Sequence, residues 1–210
     1  MNEIEIKKFY NTLLNLDNIE IKTALLISLL TGLRRGELAG LRWSDIDFEK
    51  KTLTVSRSIR YSNEQGYFVK EPKTISSYRT LTLPNILINQ LNEYKTYLDK
   101  LKKNKGINSL NYLFTDSFGH NVRLDIFGRW MKRISEKAGI SKHTLHSLRH
   151  TNISIQIAAG IPIVTVANRA GHSKTSTTVD IYAYSMHESD AKAADVIDEM
   201  FGKLSDYSIK

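Results

Sequence analysis

Cysteine is absent from this 210-residue chain. Its absence excludes a disulfide framework, thiolate metal sites and a cysteine nucleophile. Long apolar runs are absent as well: the longest, Ala24–Leu30, is interrupted by Ser28 and is too short to span a bilayer. The N-terminal segment also lacks the apolar core of a signal peptide. We therefore expect a soluble protein of the cytoplasm with no membrane partner.

Acidic residues are fewer than basic ones. Asp and Glu number 22 against 30 Lys and Arg, which gives a formal net charge of +8. Several acidic residues lie close to the C-terminus, so the remainder of the chain is more basic than the average: Glu188, Asp190, Asp195, Asp198 and Glu199. A basic balance constrains the partners of a protein rather than its fold, and it is a weak indication of a polyanionic partner.

The hydrophobic periodicity predicts one α+β domain, mostly helical. A chain of this length with 41% hydrophobic residues can form one well-buried core. Asp17 or Asn18 can cap a second helix that is apolar nearly all round, and Gly32 can end it in a left-handed conformation. The helices are predicted over residues 3–15, 19–31, a short segment that begins near 34, 84–101, 124–138, 146–159, 162–170, 175–184 and 189–204.

A small three-stranded antiparallel sheet is predicted between the third and fourth of these helices. Its first strand contains Leu53, Val55 and Ile59 in alternation with polar residues, and the turn SNEQG separates it from a second strand around YFV. The third strand covers Tyr78–Leu83. Lys73 is expected in the connection between the second and third strands.

Two candidate sites contain arginine. Arg34 directly follows a very apolar segment, where an unpaired guanidinium would be costly. It can form a structural ion pair with Glu37, or Glu37 can orient it while its other donors bind a phosphate oxygen. His146 and Arg149 form an H-x-x-R pair on one helix face and should point into a pocket or the core. The alternative is a core histidine beside a capping arginine.

Three further candidates are ambiguous when taken singly. His172 follows Gly171 at a helix end, Lys73 is either a solvated lysine or a proton donor, and Tyr182 and Tyr184 can be packing residues. The sequence offers no carboxylate-rich cluster for a metal. Together, two arginines, two histidines, a lysine and a tyrosine suit a phosphodiester that is attacked by a phenol.

Four motifs carry a resemblance to a known family. TGLRRGELAGLRWSDID, PKT-x-x-S-x-R-x-L-x-L, H-x-L-R-H-T and GHS-x-x-x-TT-x-D-x-Y follow one another in this order. In these motifs the chain resembles the catalytic domain of the tyrosine recombinases, in particular the integrases of phages and conjugative transposons. The resemblance extends from about Ile19 to Tyr184 and implies the α+β fold of that domain.

The resemblance assigns a role to each matched position. It implies catalytic roles for Arg34, Lys73, His146, Arg149, His172 and Tyr182, and a supporting role for Glu37. Tyr182 would be the nucleophile because it lies two residues after Asp180, with Tyr184 as the second candidate. The implied reaction needs no cofactor and no metal, since cationic side chains stabilise the transition state.

The resemblance also implies domains and partners. Residues 1–185 would be the catalytic domain and residues 186–210 a C-terminal helix and tail that docks in cis or on a neighbouring protomer. The N-terminal core-binding and arm-binding domains of full integrases are not found in this sequence. The expected partner is double-stranded DNA at attachment sites. The expected assembly is a monomer in solution and a homotetramer on paired sites, with excisionase or DNA-bending accessory proteins as further candidates.

Two other functions stay open at this point. A type IB topoisomerase-like enzyme, which nicks and reseals one strand, could use the same residues. A non-catalytic helical DNA-binding module would explain the positive charge, although it would not explain the presence of all six reactive side chains.

Overall fold

A buried helix, α2 (Ile19–Thr31), lies at the centre of the fold. The computed structural model describes residues 1–70, 78–105 (backbone only for 102–105), 111–115, 123–172 and 176. The Asn18 side chain accepts a hydrogen bond from the Ile21 amide at the start of α2, and Gly32 ends the helix with a φ of 67°. Both predicted ends of α2 are therefore confirmed. They could be predicted because each depends on a local signal.

Six further α-helices are present in the described part of the chain. They are α1 (Glu3–Leu14), α3 (Arg35–Gly40), α4 (Asn85–Lys105), α5 (Leu124–Lys137), α6 (Leu145–Ala158) and α7 (Ile163–Ala170). A 3-10 turn follows α3 at Trp43–Asp45. The predicted stripe of α4 is buried as expected, at Leu87, Leu91, Tyr94 and Leu98. The apolar faces of α1 to α6 meet in one core, as expected for the predicted α+β class.

The three-stranded antiparallel sheet consists of β1 (Ile46–Asp47), β2 (Thr52–Val55) and β5 (Arg79–Thr82), with β2 in the middle. Leu53 pairs with Ile46 on one side and with Leu81 on the other. Leu53, Val55 and Leu81 are buried, so one face of the sheet packs on the core.

The predicted strand assignment was wrong in one respect. The first predicted strand is broken between Val55 and Ser58, and its second half is β3 (Ser58–Ser62), which pairs with β4 (Gly66–Lys70) in a separate two-stranded hairpin. The YFV segment therefore belongs to this hairpin rather than to the three-stranded sheet.

Tertiary contacts cause the break. Arg57 donates hydrogen bonds to the Asp45 carboxylate and to the Gly40 carbonyl, which draws the chain towards α3. A Cβ on Gly36 would lie 2.5 Å from the Ile59 carbonyl oxygen, so β3 can lie against α3 only because position 36 is a glycine. The period-two pattern of the sequence does not report such a contact.

Several predictions lie outside the described residues: the connection that contains Lys73, the helices at 175–184 and 189–204, and the domain boundary near residue 185. The described residues belong almost entirely to one compact unit, Met1–Ser173. None of the described helices is long and apolar enough to cross a membrane.

Candidate functional site

The junction of α2 and α3 positions Arg34. Arg34 is the residue before α3, and its backbone N–H donates to the Glu37 carboxylate at 2.8 Å. Its Nη1 donates to Glu37 Oε1 at 3.1 Å, which confirms the predicted ion pair. The Arg34 side chain is nevertheless 44% exposed. The ion pair therefore orients the guanidinium without removing it from the surface.

Glu37 is buried and is also bound by a second arginine, Arg79 at the start of β5. Arg79 donates Nη1 to Glu37 Oε1 at 3.0 Å and Nη2 to Oε2 at 2.9 Å, a bidentate pair. Burial raises the pKa of Glu37, but the hydrogen bonds and charges of Arg79 and Arg34 outweigh it and lower this pKa below its usual value. Glu37 is therefore ionised at neutral pH.

Arg149 lies on α6 and joins the ends of two other helices. Its Nη1 donates to the Gly32 carbonyl at 2.7 Å, at the end of α2, and its Nη2 donates to the Ala170 carbonyl at 2.6 Å, at the end of α7. Both carbonyls belong to helix C-termini, where backbone oxygens lack intrahelical partners and the helix dipole favours a cation.

His146 lies one turn before Arg149 on α6 and is exposed to solvent. Its ring packs edge-on against the ring of His150, with 4.4 Å between the ring centroids. Burial lowers the pKa of His150, and the neighbouring His146 and Arg149 lower it further. The predicted orientation towards a pocket applies to both His146 and Arg149, since both line the cleft described below.

His172 follows the end of α7. Gly171 ends this helix with a φ of 69°, and the His172 backbone N–H donates to the Ala167 carbonyl at 3.0 Å. Burial lowers the pKa of the His172 imidazole to about 4, and the positive charges of Arg149, Arg34, Arg79 and His150 contribute to the decrease. His172 is therefore neutral at neutral pH.

The carbonyls of Ala170 and Gly171 bring the predicted residues together. Arg34 Nη2 donates to the Gly171 oxygen at 2.8 Å, and Arg149 donates to the Ala170 oxygen next to it. His172 is the next residue in the chain. The structure thus assembles Arg34, Arg149 and His172 around one turn, although they are far apart in the sequence.

An open cleft of about 760 Å³ has Arg34 and Arg149, which both bind this turn, in its lining. Its lining includes residues of α3, β3, α5 and α6, and among the described residues it contains neither Asp nor Glu. The basic and aromatic groups that line it are Arg34, Arg35, Arg60, Tyr61, His146 and Arg149. A cleft with this lining favours a polyanion.

Two predicted residues lie outside the described part of the chain: Lys73 and the nucleophile Tyr182, together with its alternative Tyr184. Their places relative to the cleft stay predictions. Within the described residues there is no group of three or more His, Cys, Asp or Glu side chains that could hold a metal ion.

The sequence reasoning missed Arg79 and His150. Arg79, Leu81 and Leu83 occupy every second position of this segment, and all three are buried. A charged residue on the inward face of a strand requires a buried partner, so the alternation itself was a usable signal. His150 lies four residues after His146 on the helix predicted over 146–159, so this spacing was a usable signal for the contact between the two rings.

Comparison with known proteins gives consistent results. The model of the phage integrase family matches residues 1–189. A tyrosine recombinase XerC-like protein of Caldanaerobacter subterraneus subsp. tengcongensis is 33% identical over 210 residues, which cover 94% of this chain and 53% of the relative. The ICEBs1 integrase of Bacillus subtilis is 29% identical over 197 residues, which cover 93% and 53%. The chain thus spans about half the length of these relatives.

A solved structure shares the fold. The Tn1549 transposon integrase in complex with circular intermediate DNA superposes with a TM-score of 0.79 at 24% sequence identity, over 94% of this chain and 66% of that one. The similarity supports the α+β architecture derived above from the helices and the sheet.

Proposed function

The chain belongs to the phage integrase family, and from this premise we propose that it is a site-specific DNA recombinase of the tyrosine class, which integrates or excises a mobile element. One observation carries the proposal. Arg34, Arg149 and His172 converge on the last turn of α7, beside a cleft whose described lining contains no acidic side chain. This is the arrangement that a phosphodiester requires.

Double-stranded DNA is the proposed substrate. The net charge of +8 and the basic lining of the cleft favour a polyanion. The Tn1549 integrase was solved with circular intermediate DNA, and the matching fold supports the same kind of substrate for this chain.

Tyr182 is the proposed nucleophile. Its phenol oxygen attacks the phosphorus, a P–O bond to the tyrosine forms, and the bond from phosphorus to the 5′-oxygen breaks. The products are a 3′-phosphotyrosyl linkage and a free 5′-hydroxyl. Covalent capture conserves the phosphodiester, so a second strand can be joined by the reverse reaction without ATP.

Arg34 and Arg149 are proposed to stabilise the transition state. Negative charge grows on the two non-bridging oxygens during the attack, and planar guanidinium groups offer paired donors for them. Both arginines are already held by backbone carbonyls and, for Arg34, by Glu37. The electrostatic groups are thus preorganised before the substrate arrives. Neutral His172 can donate one further N–H to a phosphate oxygen.

Two proton transfers complete the step. The phenol has an ordinary pKa of about 10, so it is mostly protonated at neutral pH and needs a base. His146, which is exposed in the cleft, is the proposed acceptor of that proton. Lys73 is the proposed donor of a proton to the leaving 5′-oxygen.

We also propose the domain organisation and the partners that were expected from the sequence. Residues 1–185 are proposed to form the catalytic domain, and residues 186–210 a tail that docks in cis or in trans. The chain is proposed to be a monomer in solution and a homotetramer on paired DNA sites. A reaction on cellular DNA would take place in the cytoplasm.

A nicked suicide substrate that carries the attachment junction of the encoding element tests the proposal. Because of the nick, cleavage releases a short fragment that carries the 5′-hydroxyl. This fragment diffuses away, religation is prevented, and the covalent adduct accumulates and is seen on a denaturing gel. In EDTA, the wild-type chain and the Tyr184→Phe variant should form the adduct. Tyr182→Phe should form none and should bind the same DNA with unchanged affinity, because only the nucleophilic oxygen is lost.

Each outcome has a separate meaning. An adduct that maps to Tyr184 would keep the reaction class and move the nucleophile. Adduct formation without exchange between two labelled duplexes would favour the topoisomerase-like alternative. DNA binding without any adduct, both for this chain and for a fusion of this chain to the N-terminal part of the ICEBs1 integrase, would contradict a catalytic role.

A further inference from the structure

We propose that Arg79 is a positioning residue for the strand-cleavage reaction: it ties Glu37 to the last turn of α7 and thereby fixes Arg34 and His172 relative to each other. This inference rests on the proposed function.

The contacts of Arg79 point in two directions. Its two terminal nitrogens donate to both oxygens of Glu37 at 3.0 and 2.9 Å. Its Nε donates to the backbone carbonyl of Arg169, in the last turn of α7, at 2.8 Å. One planar guanidinium therefore connects α3 with α7.

These contacts close a ring of interactions. Glu37 holds Arg34 through the Arg34 backbone amide and Nη1. Arg34 in turn donates to the Gly171 carbonyl, two residues after the Arg169 carbonyl that Arg79 holds. Each group in the ring has two partners. A shift of Arg79 therefore moves both Arg34 and the turn that precedes His172.

Gly171 shows how closely α7 approaches Arg79. A Cβ at this position would lie 2.6 Å from Arg79 Nη1 and 2.9 Å from its Cζ. The backbone of Gly171 is also in the left-handed region, with a φ of 69°. The end of α7 therefore lies directly on the guanidinium plane, where no side chain fits.

Stability alone is a poor explanation for this buried pair. The side chains of Arg79 and Glu37 are both 7% exposed. Desolvation of two charges is costly, and well-packed apolar residues are often as stable or more stable in their place. Orientation of Arg34 and of the α7 turn is a function that apolar residues could not supply.

Arg79→Lys tests the role, with Arg57→Lys as the matched control. Lysine keeps the positive charge beside Glu37. Its single ammonium cannot bind both Glu37 oxygens in the bidentate geometry and the Arg169 carbonyl at the same time. Arg57 also forms a largely buried pair with a carboxylate, Asp45, with side chains 16% and 7% exposed, and its hydrogen bonds go to Asp45 and to the Gly40 carbonyl instead of Glu37 and α7. Both variants lose a comparable ion pair, so both should lower the Tm.

Only Arg79→Lys should slow the reaction. Single-turnover cleavage of the suicide substrate at saturating DNA should fall about 10–100-fold, by analogy with the loss of a residue that orients a metal ligand, while the Kd for DNA stays unchanged. Arg57→Lys should cleave at the wild-type rate. Equal rates for the two variants would overturn the proposal. If Arg79→Lys does not fold, Arg79→Gln takes its place, since its amide can still donate to Glu37 but cannot reach both Glu37 oxygens and the Arg169 carbonyl; wild-type cleavage in that variant would also overturn the proposal.

A measurement without DNA separates this inference from the proposed function. Amide hydrogen exchange at Gly171 and His172 should become faster in Arg79→Lys and stay unchanged in Arg57→Lys, because Arg79, unlike Arg57, donates a hydrogen bond to the last turn of α7. If the wild-type chain forms no adduct, the proposed function fails, and the exchange result still decides the role of Arg79. Unchanged exchange in Arg79→Lys would overturn it.

Discussion

Arg149 shows how one buried side chain can serve both the fold and the candidate site. It is 2% exposed, and its two terminal nitrogens donate to the carbonyls that end α2 and α7. Because a buried charge needs partners, these carbonyls hold the guanidinium in a fixed position. The same fixation is what electrostatic catalysis demands, since a donor that is already oriented does not reorganise during the reaction.

His172 gives a prediction about pH. In the folded chain its pKa is about 4, below the ordinary value of 6.5, because of burial and the neighbouring cations. Between pH 6.5 and pH 4 the unfolded chain therefore binds more protons than the folded chain, and the stability of the fold should decrease as the pH falls through this window. Above pH 6.5 the effect of His172 should vanish.

An NMR titration of the imidazole resonances measures this pKa directly, with His172→Gln to assign the signal. The midpoint of His172 should lie near pH 4 without DNA. In the variant, the decrease of stability between pH 6.5 and pH 4 should be smaller than in the wild type. A midpoint of 6.5 or higher would show that the imidazole is not desolvated among the arginines.

The sequence predicted part of this site because the information is local or contained in a motif. The ion pair of Arg34 with Glu37 spans three residues, and His146 and Arg149 are one helical turn apart. The role of Arg79 could not be predicted in this way, since it depends on the placement of β5 beside α3, 42 residues away in the chain. Long-range pairs of this kind arise from the packing of elements, which a hydrophobic pattern does not specify.

The same distinction holds for the secondary structure. The limits of α2 were predictable because Asn18 and Gly32 act on adjacent backbone groups. The hairpin of β3 and β4 was not, because its separation from β2 depends on Arg57 and on the close approach of Gly36 to Ile59. Local signals set the ends of elements, and tertiary contacts decide which strands pair.

Helix α5 carries an unexplained glycine that leads to a second prediction. Gly128 lies inside the helix and lines the cleft, and a Cβ there would meet no other atom of the described chain. Glycine inside a helix costs roughly 0.5–1 kcal/mol relative to alanine. Gly128→Ala should therefore stabilise the fold by about that amount, and it should weaken DNA binding if DNA fills the cleft against the α5 backbone.

Chemical denaturation and a DNA-binding titration measure the two effects. Gly139→Ala is the matched control: a Cβ there also meets no atom, but the φ of 61° is unfavourable for alanine. The control should lose stability and bind DNA as before. A Gly128→Ala variant that is more stable and binds with unchanged affinity would show that DNA does not approach α5 at this point.

Charge governs the behaviour of the whole molecule. With a net charge of +8, copies of the chain repel one another in solution. DNA phosphates remove that repulsion, and binding to them releases counterions, so affinity should fall linearly on a plot of log K against log salt concentration. Assembly of several basic protomers should therefore depend on the DNA that they share.

Sedimentation at several salt concentrations tests this expectation. The chain alone should sediment as a monomer over a wide range of protein concentration, and paired attachment sites should convert it to a complex of four protomers. Added salt should dissociate this complex, whereas a duplex of unrelated sequence at equal length should not produce four-protomer particles. A stable tetramer without DNA would mean that contacts between protomers outweigh their charge repulsion, and the assembly would then precede DNA binding instead of following it.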